Sequence, residues 1–132
     1  MSLVDRLAAA IAAQEGWFDP TPNLPQSLNN PGDLDYVGQT KATPVIVPGR
    51  GAPFAKWQTP QAGIVGLYRD LYAKVASGLT LRQLIAIWAP ASENNTSVYF
   101  QNVQQWTGIH GSAVDVPLLT LIEPLQDPRQ SS

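Results

Sequence analysis

A glutamate at the end of an alanine-rich segment is the residue in this chain best suited to acid–base chemistry. The segment begins at Ala8 and continues through Glu15 to Gly16, which is expected to stop the helix, and then to two aromatic residues. On a helix with about 100° per residue, Glu15 falls within roughly 40° of Val4 and Ile11, so its carboxylate continues an apolar stripe. Apolar surroundings raise the pKa of a carboxyl group, which then holds a proton at neutral pH. Glu15 is therefore a candidate general acid, although its position equally suits a glutamate that ends the helix and reaches solvent.

The composition argues against most other kinds of chemistry. The 132 residues contain no cysteine and a single histidine, which disfavours metal sites and a Ser-His-Asp triad. A net charge of −2 with scattered Lys and Arg disfavours a nucleic acid partner. There is no apolar run of roughly 18 residues, so no membrane span is expected, and no signal peptide is recognisable at the start. Carboxylates remain as the plentiful titratable groups, and we expect no metal and no other cofactor.

The periodicity of apolar residues predicts a mostly helical α+β domain with a small β region. Residues 2–15 are predicted to form the first helix, and a region rich in Pro and Gly follows from 19 to 51. Strand character is found at 34–37, 43–47 and 54–57. Capping residues and apolar spacing predict further helices at about 60–76, 81–88, 96–106 and 117–122. We expect one domain over residues 1–126 and a flexible tail over 127–132.

Two groups of residues resemble a known family. The segments Glu15–Pro20 and Asn29–Leu34 resemble the catalytic segment of the lysozyme-like superfamily, in which a glutamate ends a core helix and a Gly-containing turn leads into a small sheet. A second group resembles the late helix of that family: Pro90, Glu93, Thr96, Tyr99 and Val103. The nearest branch is that of lytic transglycosylases and goose-type lysozymes, including muramidase modules of phages and bacteria. The resemblance implies a lysozyme-like fold whose small β region lines a glycan cleft.

The resemblance also implies roles for individual residues. Glu15 would protonate the leaving oxygen of a β-1,4 bond between aminosugars, and Tyr99 would hydrogen-bond near it and hold the carboxyl in place. Hydrolysis would use a second carboxylate, for which Asp33 and Asp35 are candidates. In the transglycosylase reaction the muramyl 6-hydroxyl attacks instead, and Glu15 takes its proton. The chain lacks the Gly-Leu-Met-Gln and Ala-Tyr-Asn-Ala-Gly segments of typical transglycosylases, so both outcomes stay open.

Each candidate for the second carboxylate also has a purely structural interpretation. Asp33 follows Pro31 and Gly32, where aspartate is common in turns. Asp35 alternates with apolar neighbours, as a residue on the outer face of a strand would. Glu93 is a third candidate, and its position equally suits a surface residue that precedes a helix cap.

Aromatic and amide side chains around these positions suit a sugar ligand, because aromatic faces pack on sugar C–H groups and amides pair with hydroxyl and N-acetyl groups. Asn30 and Gly32 either shape the cleft opposite Glu15 or form a plain turn. Trp88 and Trp106 lie on apolar helical stripes and are expected in the core. The predicted substrate-binding residues are Trp17, Asn30, Gly32, Tyr36, Gln39, Asn95 and Thr96.

Together these features predict an enzyme that cleaves peptidoglycan glycan strands at the β-1,4 bond between N-acetylmuramic acid and N-acetylglucosamine, as a lytic transglycosylase or a muramidase. One alternative is a non-catalytic peptidoglycan-binding or virion structural module on the same fold. The other is a β-N-acetylglucosaminidase. We expect a monomer that acts at the bacterial cell wall, on its periplasmic or extracellular side, and is delivered by phage lysis, a virion or specialised secretion.

Overall fold

A computed structural model describes residues 1–91 and 95–122, and its α+β architecture confirms the predicted class. The helices are α1 (Leu3–Gln14), α2 (Leu24–Ser27), α3 (Pro60–Ala76), α4 (Leu81–Trp88), α5 (Thr96–Thr107) and α6 (Leu118–Leu121), with a 3₁₀ helix at Gly111–Asp115. Strands β1 (Ala42–Val45) and β2 (Phe54–Trp57) pair antiparallel, with Ala42 opposite Trp57 and Val45 opposite Phe54. Glu93, the end of the predicted domain and the predicted tail lie outside the described residues. Across the described ranges, no helix has both the length and the apolar character needed to cross a membrane.

Side-chain caps set several helix boundaries where the sequence predicted them. Ser2 and Asp5 form a capping box at the start of α1, and Thr80 and Gln83 form another at α4. The side chain of Thr59 accepts a hydrogen bond from the backbone N–H of Ala62 and caps α3. These caps satisfy N–H groups that have no partner within the first helical turn.

The region between α1 and α3 differs from the prediction in two respects. Residues 34–37 do not form a strand, and their contribution to pairing is one isolated bridge between Asp35 and Phe54. In addition, the short helix α2 lies within the region rich in Pro, where no helix was predicted. Asn23 and Gln26 form a capping box around it, and Pro25 is compatible with its first turn because the N–H that proline lacks has no helical partner there.

Helix α1 lies at the centre of the hydrophobic core and packs against α5 and α3. Leu7 and Ile11 of α1 are fully buried, as are Leu71 of α3 and Val103 of α5. Burying these side chains fixes the axis of α1 and therefore the point where the helix ends. The end of α1 is where Glu15 leaves the core.

The two tryptophans expected in the core have different surroundings. The side chain of Trp106 is 45% exposed, so the prediction for this residue is wrong. The buried stripe of α5 runs through Tyr99 and Val103 to Thr107, because the next helical position after Val103 on the same face is Thr107. Trp88, at the end of α4, packs against the edge of the core and is only partly buried.

Candidate active site

Glu15 is the C-terminal cap of α1. Its N–H still donates to the carbonyl of Ile11 at 3.0 Å, whereas the next residue, Gly16, has φ +85°, a left-handed conformation that favours glycine. The N–H of Gly16 donates to the carbonyl of Ala13, and that of Trp17 donates to the carbonyl of Ala12, which together form a Schellman motif. The predicted helix stop at Gly16 is therefore confirmed. The reversal turns the chain away while the Glu15 carboxyl remains at the edge of the core.

Tyr99 lies directly behind this carboxyl. Its hydroxyl donates a hydrogen bond to Oε2 of Glu15, with an O···O distance of 2.7 Å. The ring is 5% exposed, and burial together with the negative charge of Glu15 raises the pKa of the Tyr99 hydroxyl far above its usual value. The hydroxyl therefore stays protonated and acts as a fixed donor. The structure brings these two residues together as the family resemblance implied.

Burial governs the ionisation of Glu15. Desolvation raises the pKa of its carboxyl from 4.5 to about 7, and the nearby negative charge of Asp33 contributes to the rise. The hydrogen bond from Tyr99 acts in the opposite direction, because it stabilises the carboxylate. Both the acid and its conjugate base are consequently populated at neutral pH. A group with this property is able to donate a proton and then accept one.

The carboxyl faces an open cleft of about 490 Å³. The cleft is lined by residues of the turn from Gly32 to Asp35 and by residues of the helices α3 and α4. Among the predicted site residues, the cleft lining includes Glu15, Gly32, Asp33, Asp35 and Gln39. The turn from Gly32 to Asp35 and the candidate acid Glu15 therefore line the same cavity, although the chain between them is long and irregular.

Gly32 is required by close packing at the floor of this cleft. Its carbonyl accepts a hydrogen bond of 2.9 Å from the indole N–H of Trp88, which ties α4 to the turn. A Cβ atom on Gly32 would lie 2.9 Å from the side chain of Leu67 and 3.2 Å from that of Trp88. Trp88 itself lines the cleft, which corrects the expectation that it is a plain core residue.

Asn30 shapes the turn and does not offer its side chain to a ligand. The side chain is fully buried, and its Nδ2 donates to the carbonyls of Leu34 and Ala55 at 2.9 Å each. Its Oδ1 accepts from the N–H of Leu34 at 2.8 Å. Because the amide is buried and engaged within the turn, the structure agrees with the interpretation that Asn30 shapes the cleft, and its direct contact with sugar stays a prediction.

Four further predicted binding residues lie outside the cleft lining. The Schellman reversal places Trp17 back against the core. The N–H of Tyr36 donates to the carbonyl of Pro53, which fixes its backbone beside the loop before β2. Asn95 caps α5, and the Thr96 hydroxyl donates to the carbonyl of Ala89. These two residues position the helix that carries Tyr99, and their direct contact with sugar stays a prediction.

The two candidate carboxylates in the turn differ in their surroundings. Asp33 has φ +52°, and its N–H donates to the carbonyl of Asn30, so it is a turn residue as well as a cleft residue. Asp35 forms an ion pair with Arg50 at 2.5 Å, and that guanidinium also stacks on the Phe54 ring. The charge of Asp35 is thus compensated by Arg50. The charge of Asp33 raises the pKa of the Glu15 carboxyl.

Sequence reasoning missed several cleft residues. Arg50, Asp70 and Lys74 line the cavity, and Lys74 lies 2.5 Å from Asp70 and 5.1 Å from the centre of the Trp88 ring. The spacing of Asp70 and Lys74 by four residues on a helix predicts their pairing, but nothing local indicates that the pair faces Glu15. In the described ranges, no group of three or more His, Asp or Glu side chains is arranged to hold a metal ion.

The chain segment that follows Glu15 is anchored by two amides that were also missed. Nδ2 of Asn23 donates to the carbonyl of Gly16 at 2.7 Å. Nε2 of Gln26 donates to the carbonyls of Trp17 at 3.1 Å and Asp19 at 2.9 Å. These hydrogen bonds from Asn23 and Gln26 therefore hold residues 16–19, the segment that follows α1, in place. The N-x-x-Q spacing of its capping box was the available signal.

Comparisons with protein-family models, with curated proteins and with solved structures find no match to this chain. An assignment of function must therefore rest on the geometry of the cleft and on the residues that carry the resemblance.

Proposed function

We propose that the protein is a glycoside-cleaving enzyme with a lysozyme-like fold that cuts the glycan strands of peptidoglycan at the β-1,4 bond between N-acetylmuramic acid and N-acetylglucosamine. One observation carries the proposal: a carboxyl with a pKa of about 7 ends a core helix, is held by a buried tyrosine and faces an open cleft. In most glycoside-cleaving enzymes a carboxylic acid with a raised pKa protonates the leaving oxygen. Its place of action under this proposal is the bacterial cell wall, on the periplasmic or extracellular side.

The first step uses Glu15 as the acid. The protonated carboxyl donates its proton to the glycosidic oxygen as the bond from this oxygen to C1 breaks, and positive charge develops on the sugar ring. The Tyr99 hydroxyl keeps the carboxyl in one orientation and stabilises the carboxylate that results. The negative charge of Asp33 in the same cleft favours the developing cation.

The second step uses Glu15 as the base. In hydrolysis the carboxylate takes a proton from the attacking water, and in transglycosylation it takes one from the muramyl 6-hydroxyl. Asp33 and Asp35 both line the cleft and remain the candidates for an assisting carboxylate. Both outcomes belong to the proposal, because one carboxylate and its orienting tyrosine serve either of them.

The remaining cleft surface suits a sugar chain. Apolar groups from both sides line it, namely Leu34, Val37, Ile87 and Trp88, and they can contact sugar C–H faces. Val37 and Ile87 are 81% and 55% exposed, so they stand at the accessible part of the cleft. Glycan strands, which carry neutral hydroxyl and N-acetyl groups, would pack on these apolar residues without displacing the Asp35–Arg50 and Asp70–Lys74 ion pairs.

The test is clearing of purified peptidoglycan by Glu15→Gln, which replaces the carboxyl with an amide of nearly equal size. We expect the variant to fold and to lose activity by a factor of at least about 10³, since the amide supplies no proton. Asp19→Asn makes the same chemical change at an exposed carboxylate outside the cleft lining, and it should retain activity. Retained clearing by Glu15→Gln would overturn the proposed role of Glu15.

A further inference from the structure

A second depression of about 240 Å³ is lined in part by residues 38–40. Gln39 lines both this depression and the cleft, so the two cavities adjoin at its side chain. Gln39 is fixed there, because its Oε1 accepts from the N–H of Val37 at 2.8 Å and its Nε2 donates to the carbonyl of Asp35 at 2.7 Å. We call this depression the side groove.

The same helix borders both cavities with different faces. Asp70 and Lys74 of α3 line the cleft, whereas the side groove is bordered by a run of α3 residues spaced by three and four, Ala62, Val65, Gly66 and Arg69. The buried Trp57 also contributes to the groove, and its indole N–H donates to the carbonyl of Thr40. The walls are therefore mostly apolar and held in place from both sides.

Arg69 gives the side groove an uncompensated positive charge. Within the described part of the chain its guanidinium has no hydrogen-bond or ion-pair partner. The cations of the cleft differ, because Arg50 is paired with Asp35 and Lys74 with Asp70. An exposed guanidinium beside an apolar groove suits a carboxylate on a short, partly apolar chain.

We propose that the side groove binds the peptide branch of the substrate, with Arg69 pairing with a carboxylate of that branch. This inference rests on the proposed function, since peptidoglycan carries peptides on its muramic acid residues. A branch of four residues reaches up to about 13 Å from the sugar, which allows a glycan in the cleft to extend its peptide past Gln39. The groove would then distinguish peptidoglycan from uncharged aminosugar polymers.

Binding is measured by calorimetry in the Glu15→Gln protein, so that the probe is not consumed. One probe is a disaccharide–tetrapeptide, and the second is the same compound with its peptide carboxylates converted to carboxamides. We expect the amidated probe to bind about fivefold more weakly. With Arg69→Gln added, both probes should bind equally, at the weaker affinity. Lys56→Gln removes an equal charge from an exposed residue that lines neither cavity, and it should keep the fivefold difference.

Equal binding of the two probes by the Glu15→Gln protein, or the same fivefold difference after Arg69→Gln, would overturn the inference. Its failure is distinguishable from failure of the proposed function. A protein that cleaves peptidoglycan but shows no Arg69-dependent difference keeps its function and loses this site. A protein that shows the difference yet releases no product keeps the site and loses the proposed cleavage.

Discussion

Glu15 and Tyr99 are separated by 84 positions in the chain and share one hydrogen bond. The suitability of Glu15 as a general acid could be predicted from the sequence, because it depends on two local features: an apolar helical stripe and a glycine that stops the helix. The partnership with Tyr99 was reached only through the family resemblance, since the spacing of residues within either helix carries no information about the other. The long-range effect of Asp33 on Glu15 likewise depends on how the turn packs.

Tyr99→Phe removes the hydroxyl and keeps the buried ring. We expect turnover of peptidoglycan to fall at least about tenfold, which corresponds to about 1.4 kcal/mol of barrier. The pKa of Glu15 should also rise above about 7, because the lost hydrogen bond is the one that lowers it. A pH–rate profile measures both effects, and the limb at which activity falls with rising pH should move to higher pH. An unchanged rate with an unchanged profile would remove Tyr99 from the site.

Glu15 should also make stability depend on pH. Its carboxyl has a pKa of about 7 when folded and an ordinary value of 4.5, so between these pH values the folded state binds more protons than the unfolded state. Stability from this group is therefore complete below about pH 4.5 and declines as pH rises through 7. We expect Glu15→Gln to be more stable than wild type at pH 8 by on the order of 1–2 kcal/mol, after allowance for solvent access, and nearly equal at pH 4.5.

Urea unfolding of both proteins at the two pH values measures this difference. Asp19→Asn is the matched control and should follow wild type at each pH. Parallel pH dependence of wild type and Glu15→Gln would show that the Glu15 carboxyl is not held in a desolvated site.

At the level of elements, helix boundaries were predictable because caps are local. Ser2, Thr59 and Thr80 each act on an N–H within three residues, so sequence spacing is sufficient. The β region was harder, since strand pairing depends on partners far along the chain. The carbonyl of Leu34 accepts from Ala55 and the N–H of Tyr36 donates to Pro53, but these contacts do not continue as a ladder. Strand-like alternation over 34–37 therefore did not become a strand.

Gln26 and Gln83 provide a matched pair for testing how α2 supports the site. Each completes a capping box, but Gln26 also donates to carbonyls of the segment that follows Glu15. We expect Gln26→Ala to lower the free energy of unfolding by about 1–2 kcal/mol and to reduce kcat severalfold. Gln83→Ala should cost about 0.5–1 kcal/mol and leave kcat unchanged. Equal effects of the two variants on kcat would contradict the anchoring role of Gln26.

For the whole molecule, the α+β class followed from composition and periodicity, whereas the cleft did not. Arg50 comes from the loop before β2, Lys74 from α3 and Trp88 from α4, and they line one cleft only in the folded chain. Trp88 lies on an apolar helical stripe, and this pattern is typical of a core residue. The sequence therefore could not distinguish a tryptophan in the core from one that lines the cleft. Trp106 was expected in the core for the same reason, but it is exposed. The buried face of α5 runs through Val103 and Thr107 and does not include Trp106.

The proposed function is cleavage of a specific glycosidic bond through Glu15. The most direct measurement is mass spectrometry of the fragments that wild-type protein releases from purified peptidoglycan, with Glu15→Gln beside it. We expect fragments that end in 1,6-anhydromuramic acid or in reducing muramic acid, formed by wild type and absent with Glu15→Gln. Reducing glucosamine ends would place the cut at the other bond, and binding without any fragment would indicate a non-catalytic module. Either of these results would overturn the proposed function.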